Sequence, residues 1–512
     1  MENEKEHSSA KLFIYSSIFW LVIFTTFGFI VAVKFFAPEF LGDTSFLTFG
    51  RVRPMHVNGV TFGFLSTGLI GISYYIIPRL CGNKLYSETL GKITAVLWNL
   101  AIASGTVLLA LGYTQAREYA EYIWVIDVAI LLTLLLIGYN IFQTIARRTE
   151  RKLYTSVWYI MGTFLTFPLV YFVGNVMWHP ETGSLQGAVD AVFNWFYGHN
   201  VLGLWFTTLG IAAWYYFIPI IIRRPLYSHL LSIIGFFSIV FVYTGVGGHH
   251  LLQAPIPEWL KTVAVVNSGL MMIPVLAFIT NVGLTMRGSW NSIVEKVPLR
   301  FMFIGAFFYF LVSAQGTFQA LRETNMFLHF GQWPVGHAHL ALLGCFGFLV
   351  MGAIYYLIPR ITGKEIYSQR LMNYHFWFTI LGFILFFASM TNMGLIQSSA
   401  WSRNIGVAIL LLQLKPFFIV RALGGRHNHR RAVHLSLQYP FDSLEGRTSG
   451  TKGITASRYA DYGREEGGRI QGECPGLCHR WNRIVSINGV HRCSPSLSPD
   501  GLCPFRPGTS IY

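Results

Sequence analysis

The stretch QWPVGHAHLALLGCFGFLVMGAIYYLIP, residues 332–359, decides the fold. From Gly336 to Pro359 it contains no Asp, Glu, Lys or Arg, and at about 20 apolar residues it is long enough to cross a bilayer. Two imidazoles, His337 and His339, stand at its start. Ionisable groups inside a membrane span are rare and are functional candidates by default. The segment therefore reads as a spanning helix that holds something at one end.

Working outward, apolar stretches of similar length recur near 12–36, 57–79, 92–113, 122–146, 156–178, 190–222, 229–252, 262–285, 300–321, 336–359 and 373–397. A twelfth begins around Pro416 and stops early. The fold class is all-α, a polytopic membrane helical bundle of about twelve helices, the last truncated or replaced. Composition agrees: of 512 residues 53% are hydrophobic, 16% aromatic and only 12% charged. Soluble domains carry roughly 25% charged residues, and disordered chains are poor in aromatics, so both classes are excluded.

The net charge of +15 would point to nucleic acid in a soluble protein. Here the basic residues alternate between loops instead, which argues for membrane topology and against a nucleic-acid partner. Arg79, Lys84, Arg147, Arg148, Arg151, Lys152, Arg223, Arg224, Arg287, Lys296, Arg300, Arg360, Lys364 and Arg370 fall on one side. Only Arg51, Arg53, Arg117, Lys261, Arg322 and Arg403 fall on the other. Positive-inside asymmetry places residues 1–11 in the cytoplasm and makes 12–424 a multi-pass membrane domain. The first apolar run exceeds a signal-peptide core and lacks a cleavage site, so it is a retained helix.

From Gly425 the character changes. Residues 425–512 hold no apolar span, and eleven of their twelve basic residues are Arg. Because KPFFIVRALGG (415–425) ends abruptly, we read 425–512 as a non-membrane tail produced by a change of reading frame near Gly425. CPGLCH (474–479) has one residue too many for a c-haem attachment site.

Six histidines lie inside apolar segments: His56, His199, His249, His250, His337 and His339. With the N-terminus inside, even-numbered spans start outside and odd-numbered spans end there, so all six share the outer half of the membrane. His337 and His339 diverge by about 200° on a helix and can serve two flat cofactors on either side. Adjacent His249 and His250 can converge on one ion, with His199 as third imidazole. Three imidazoles with an open position suit copper or another redox metal, and haem iron takes axial His. Two haems and one copper account for all six.

The chain resembles the catalytic subunit of the haem–copper oxidases, and among them the cbb(3)-type cytochrome c oxidases. The segments that carry the resemblance are GRVRPMHVN (50–58), WFYGHN (195–200), RRPLYSHLLSI (223–233), VYTGVGGHH (242–250), HFGQWPVGHAHLALLG (329–344) and RALGG (421–425). The resemblance covers about residues 12–425. It implies that His56 and His339 ligate a low-spin haem b, that His337 ligates a high-spin haem b, and that His199, His249 and His250 hold copper (CuB). It implies O2 reduction to water with electrons from cytochrome c, coupled proton translocation, and partner subunits carrying haem c (mono-haem and di-haem).

One tyrosine sets the subfamily. The more common oxidases place a cross-linked Tyr four residues after the first copper histidine, and nitric oxide reductases place a Glu there; here that position is Gly203. The cbb(3) pattern puts the Tyr six before the His pair, and Tyr243 is there. By resemblance Tyr243 is linked to His199 and supplies an electron and a proton. Thr207, Tyr215, Ser232, Tyr243 and Tyr309 match the family's proton pathway, although each hydroxyl could instead bond its own helix backbone. Arg51 and Arg53, beside His56, could pair with haem propionates, with loop anchoring as the alternative. The family's Glu near the high-spin haem's histidine is replaced by Gln315 in SAQGTF; Glu323, in LRETN, lies in the outer loop.

Two other functions compete. A nitric oxide reductase of the same superfamily is opposed by Tyr243 and by Gly203. A proton-coupled transporter would use intramembrane histidines as relays, but two-fold repeat signatures are not evident.

Overall fold

The computed structural model of the chain describes residues 7–115, 117–179, 181 and 185–437. Among them it has no strand and twelve helices long and apolar enough to cross a membrane: α1 Ser8–Lys34, α2 Phe49–Cys81, α3 Glu88–Leu111, α4 Trp124–Ala146, α5 Thr155–Val176, α6 Gly187–Ile222, α7 His229–Leu251, α8 Glu258–Met286, α9 Val297–Gln319, α10 Gln332–Thr362, α11 Gln369–Trp401 and α12, which starts at Val407. The chain is thus an all-helical membrane protein, as its apolar periodicity requires.

Three helices form the interior. In α2, α6 and α10, 94%, 94% and 89% of the most apolar stretch is buried, against 28–61% for the other nine. These inner helices are repeats of one another. Tyr74–Pro78 (YYIIP), Tyr215–Pro219 (YYFIP) and Tyr355–Pro359 (YYLIP) occupy equivalent places in their last turns. Each Pro lacks the N–H that would continue the ladder, and the turn is completed in the left-handed conformation by Gly82 (φ 65°), Arg223 (φ 57°) and Gly363 (φ 70°). A serine then starts the next helix: Ser87, Ser228 and Ser368 accept the N–H of Leu90, Leu231 and Leu371, as N-caps do. Asn140 on α4 and Asn281 on α8 clamp Ser87 and Ser228 through both backbone polar groups. The internal repeat is therefore three-fold, and a search for two-fold symmetry misses it.

Each inner helix also widens just past its histidine. Wider, π-type turns run over Gly59–Ser66 after His56, Val201–Thr207 after His199, and Leu340–Gly347 after His337 and His339. Such turns insert a residue and re-aim side chains, and they concentrate at functional sites. One device is thus repeated beside each of the three imidazole-bearing segments of the inner helices.

The start of α12 differs from the sequence expectation. It begins at Val407, with Pro416 inside it, because VAILLLQL continues the apolar pattern N-terminal to the proline. Leu410, Leu414, Phe418 and Ala422 are buried, and Phe418 stacks on Phe35, the residue that follows α1, at 5.0 Å. A Cβ on Gly424 would meet the Gly382 carbonyl at 2.8 Å and the Phe386 nitrogen at 3.0 Å, near the middle of α11. The apolar part of α12 thus accompanies only half of α11; the basic sequence that begins at Arg426 follows.

Candidate functional site

All six histidines lie toward one end of the bundle, near the starts of α2, α6 and α10 and at the end of α7. His56 and His339 face each other with ring centroids 6.4 Å apart and planes within 19°. Stacked rings in contact would be closer. Metal–imidazole bonds of about 2 Å on either side of one ion, plus the ring radii, give roughly this span. His56 Nδ1 donates to the Phe24 carbonyl at 2.8 Å, and His339 Nδ1 to the Val335 carbonyl at 2.7 Å. A carbonyl can only accept, so the proton sits on Nδ1 and each Nε2 keeps its lone pair for a metal. Packing fixes His56 further: a Cβ on Gly28 of α1 would lie 2.5 Å from its Cε1.

His199, His249 and His250 form the one group of three such ligands among the described residues, their ligand atoms all within 4.8 Å. His199 Nδ1 and His250 Nε2 are 2.9 Å apart. Two lone-pair nitrogens at that distance need a proton or a cation between them, and the third imidazole supplies what a metal needs for three-fold ligation. His249 Nδ1 donates to Ser268 Oγ at 2.8 Å, and that hydroxyl in turn donates to the Ala264 carbonyl at 2.6 Å. The Trp195 ring lies flat on His250, centroids 3.7 Å apart and planes within 7°. Ser268 does not stand out in the sequence; Trp195 opens the segment WFYGHN (195–200) and is four before His199, one helical turn away.

His337 Nδ1 donates to Gln315 Oε1 at 2.9 Å, so the amide does fill the place of an acceptor beside this histidine. Glu323 is exposed in the short helix Arg322–Leu328 and does not reach it. A cavity of about 90 Å³ joins His337 to His199 and His249, and the same cavity is lined by Tyr243, Thr207 and Tyr309. Tyr243 sits 5.3 Å from His199, ring to ring. Its ring fills the space over Gly203, where an added Cβ would lie 2.0 Å from Tyr243 Cδ1.

Tyr215 and Ser232 do not line that cavity. Tyr215 is buried between Tyr159 at 5.9 Å and Phe278 at 5.5 Å. Ser232 lies deeper toward the basic loops, in a hydroxyl chain with Thr155 Oγ1 (2.9 Å), which also meets His229 Nδ1 (3.0 Å). The two arginines beside His56 are engaged by protein groups. Arg51 donates to the Ala110 carbonyl at 3.0 Å, and Arg53 pairs with Glu118 and approaches Glu121 at 3.8 Å. Glu121 itself is buried, accepts from Asn58 Nδ2 at 2.8 Å, and burial pushes its carboxyl up to about 7.

Residues 8–426 match the family described as Cytochrome C and Quinol oxidase polypeptide I. The chain is 32% identical over 427 residues to the Cbb3-type cytochrome c oxidase subunit CcoN1 of Stutzerimonas stutzeri, covering 81% of this chain and 90% of that relative. It is 32% identical over 428 residues to the cytochrome c oxidase subunit 1 homolog of Agrobacterium tumefaciens, covering 80% and 79%. A nitric oxide reductase of Stutzerimonas stutzeri is a more distant relative, 26% identical over 449 residues, covering 80% of this chain and 90% of that relative. Among solved structures, a haem–copper terminal oxidase dimer superposes with a TM-score of 0.71 at 15% identity, over 87% of this chain and 86% of that one, a likeness of fold.

Proposed function

Because the chain belongs to the Cytochrome C and Quinol oxidase polypeptide I family, the haem–copper oxidases, we propose that it is the catalytic subunit that reduces O2 to water with electrons from cytochrome c and couples this to proton translocation. The observation that supports this most is the convergence of His199, His249 and His250 across one cavity from His337, with Tyr243 packed between that cavity and Gly203.

In this reading His56 and His339 hold the low-spin haem b, His337 the high-spin haem b, and the other three imidazoles CuB. When bound, these groups supply electron storage and the O2-binding metals. The chain's own residues do the rest. Carbonyl, amide and hydroxyl acceptors hold Nδ1–H of His56, His249, His337 and His339, so each Nε2 is presented without reorientation. Tyr243 presents its O–H to the cavity as proton and electron donor. Thr207 and Tyr309 offer further exchangeable hydroxyls on the same cavity. His229, Thr155 and Ser232 begin the relay from the basic side, with Tyr215 intermediate. The N-terminus lies in the cytoplasm and the chain in the bacterial cytoplasmic membrane, with haem c subunits (mono-haem and di-haem) delivering electrons.

Metal and haem analysis of the purified chain tests this: two haem irons per copper are expected, with b-type bands in the reduced-minus-oxidised spectrum. Absence of haem bands would leave the transporter reading. Nitric oxide turnover without O2 turnover would make it a reductase; Tyr243 over Gly203 argues against that outcome, since a Glu side chain at 203 would have no room.

A further inference from the structure

The turn between α11 and α12 holds a second cavity, separate from the histidine site. It measures about 490 Å³, and Leu395, Ile396, Ser399, Arg403, Ile409 and Gln413 are among the residues that line it. A space of this size suits a ligand well larger than a water or an ion. Gln397 of α11 accepts the Gln332 N–H at 2.7 Å, so the cavity lies level with the start of α10, at the end of the bundle that carries the histidines. Leu395 and Ile409 are 41% and 65% exposed. Apolar side chains exposed on spanning helices face acyl chains, so the cavity opens toward lipid.

Arg403 is the charged group of this cavity. Its Nε donates to the Ser399 carbonyl at 3.1 Å, which lays the guanidinium back along the last turn of α11. None of the ion pairs among the described residues includes it, whereas Arg53, Arg117, Lys261 and Arg322, at the same end of the bundle, are each matched by a carboxylate. From Ile366 to Pro440 the sequence contains no Asp or Glu, so neither helix supplies the missing counter-charge. A cation at the membrane surface above an apolar recess is complementary to an amphiphile with an anionic head. We propose that this cavity seats an anionic phospholipid of the outer leaflet, its phosphodiester on Arg403 and one acyl chain entering between Leu395 and Ile409. The guanidinium fork matches two phosphate oxygens. The first turn of α12 has no acidic residue, so the positive end of that helix adds to the attraction. Gln413, about 9 Å along α12 from Val407, offers its amide to an ester carbonyl below the phosphate. With no carboxylate at hand, the ammonium of a zwitterionic head would meet only positive charge, which selects phosphatidylglycerol. Such a lipid fills the gap where α11 and α12 diverge, whatever the histidines hold.

The full chain in mild detergent, given equal amounts of phosphatidylglycerol and phosphatidylcholine, tests this by native mass spectrometry. One phosphatidylglycerol per chain should be retained in excess over phosphatidylcholine. Arg403→Gln should lower that occupancy by roughly tenfold, the effect of losing a hydrogen bond between charged partners, and Arg403→Lys should restore it in part. Ile409→Trp, which fills the recess and leaves the cation, should also release the lipid; if that variant does not accumulate, the two Arg403 variants carry the test. Inorganic phosphate should not displace the lipid, because it lacks the apolar part. Equal retention of both lipids with no loss in R403Q would overturn the proposal. So would displacement by inorganic phosphate, or a co-purifying polypeptide in the place of the lipid.

Discussion

The ring of Tyr243 stands where a side chain on Gly203 would have to go, 2.0 Å from the position of its missing Cβ. The two residues lie on neighbouring helices, α7 and α6, and each is meaningful only through the other. A side chain at 203 and a tyrosine at 243 are mutually exclusive solutions to filling one space beside His199.

Gly203→Ala is accordingly expected to displace Tyr243. Overpacking of this kind costs about 1–3 kcal/mol, so the chain should fold with a lowered thermal midpoint. Haem and copper should be retained while O2 consumption falls sharply. Full activity in G203A would contradict the packing on which this rests.

Ser268→Ala removes the acceptor of the His249 N–H. Loss of such a partner weakens metal affinity by roughly 10–100-fold. Copper per protein should drop under chelator competition, with both haem bands unaltered. Equal copper retention by variant and parent would show that the hydroxyl does not orient the ligand.

Gln315→Glu places a carboxylate on His337 Nδ1, where the amide oxygen now sits at 2.9 Å. An ionised acceptor increases the electron-donating character of the imidazole and stabilises the oxidised iron. Redox titration should show a lower midpoint for the high-spin haem alone. A shift confined to the low-spin haem would contradict the assignment of His337.

Glu121 should make stability pH-dependent. Burial raises its carboxyl from 4.5 to about 7, so between these values the folded chain binds a proton that the unfolded chain has released. Stability then declines as pH rises through that window, by roughly 3 kcal/mol in all. Glu121→Gln should flatten the decline and be the more stable protein at pH 8. Thermal midpoints of both at pH 5 and pH 8 would show it, and parallel profiles would refute it.

The segment from Gly425 we propose to be out of frame. Sequencing the coding DNA across that codon should reveal an apolar continuation in another frame, and a chain carrying it should retain more haem than this one. An intact single frame would sink the idea.

How much is legible without the fold varies with the range of the physics. Helix number follows from apolar length, and the shared level of six histidines from counting which end of each span they occupy. The three-fold repeat is also written in the chain, in Tyr-Tyr-x-Ile-Pro at 74–78, 215–219 and 355–359, but it is short and easily passed over. The start of α12 is hidden by Pro416, a residue type that ordinarily marks a helix boundary and here lies within the helix. Arg421 is visible in RALGG yet silent, because burial without a counter-charge is a property of surroundings, not of a residue type.

By itself, then, the amino-acid order determined that this is a helical membrane protein with imidazoles gathered at one end, since hydrophobic length and helical direction are local properties. Only the tertiary structure decided that His56 faces His339, that Ser268 holds the His249 ring and Gln315 that of His337, that Tyr243 replaces a side chain at Gly203, and that Arg421 lies buried without a counter-charge near His56 and His339. Those are contacts between residues far apart in the chain, and no local preference encodes which of them meet.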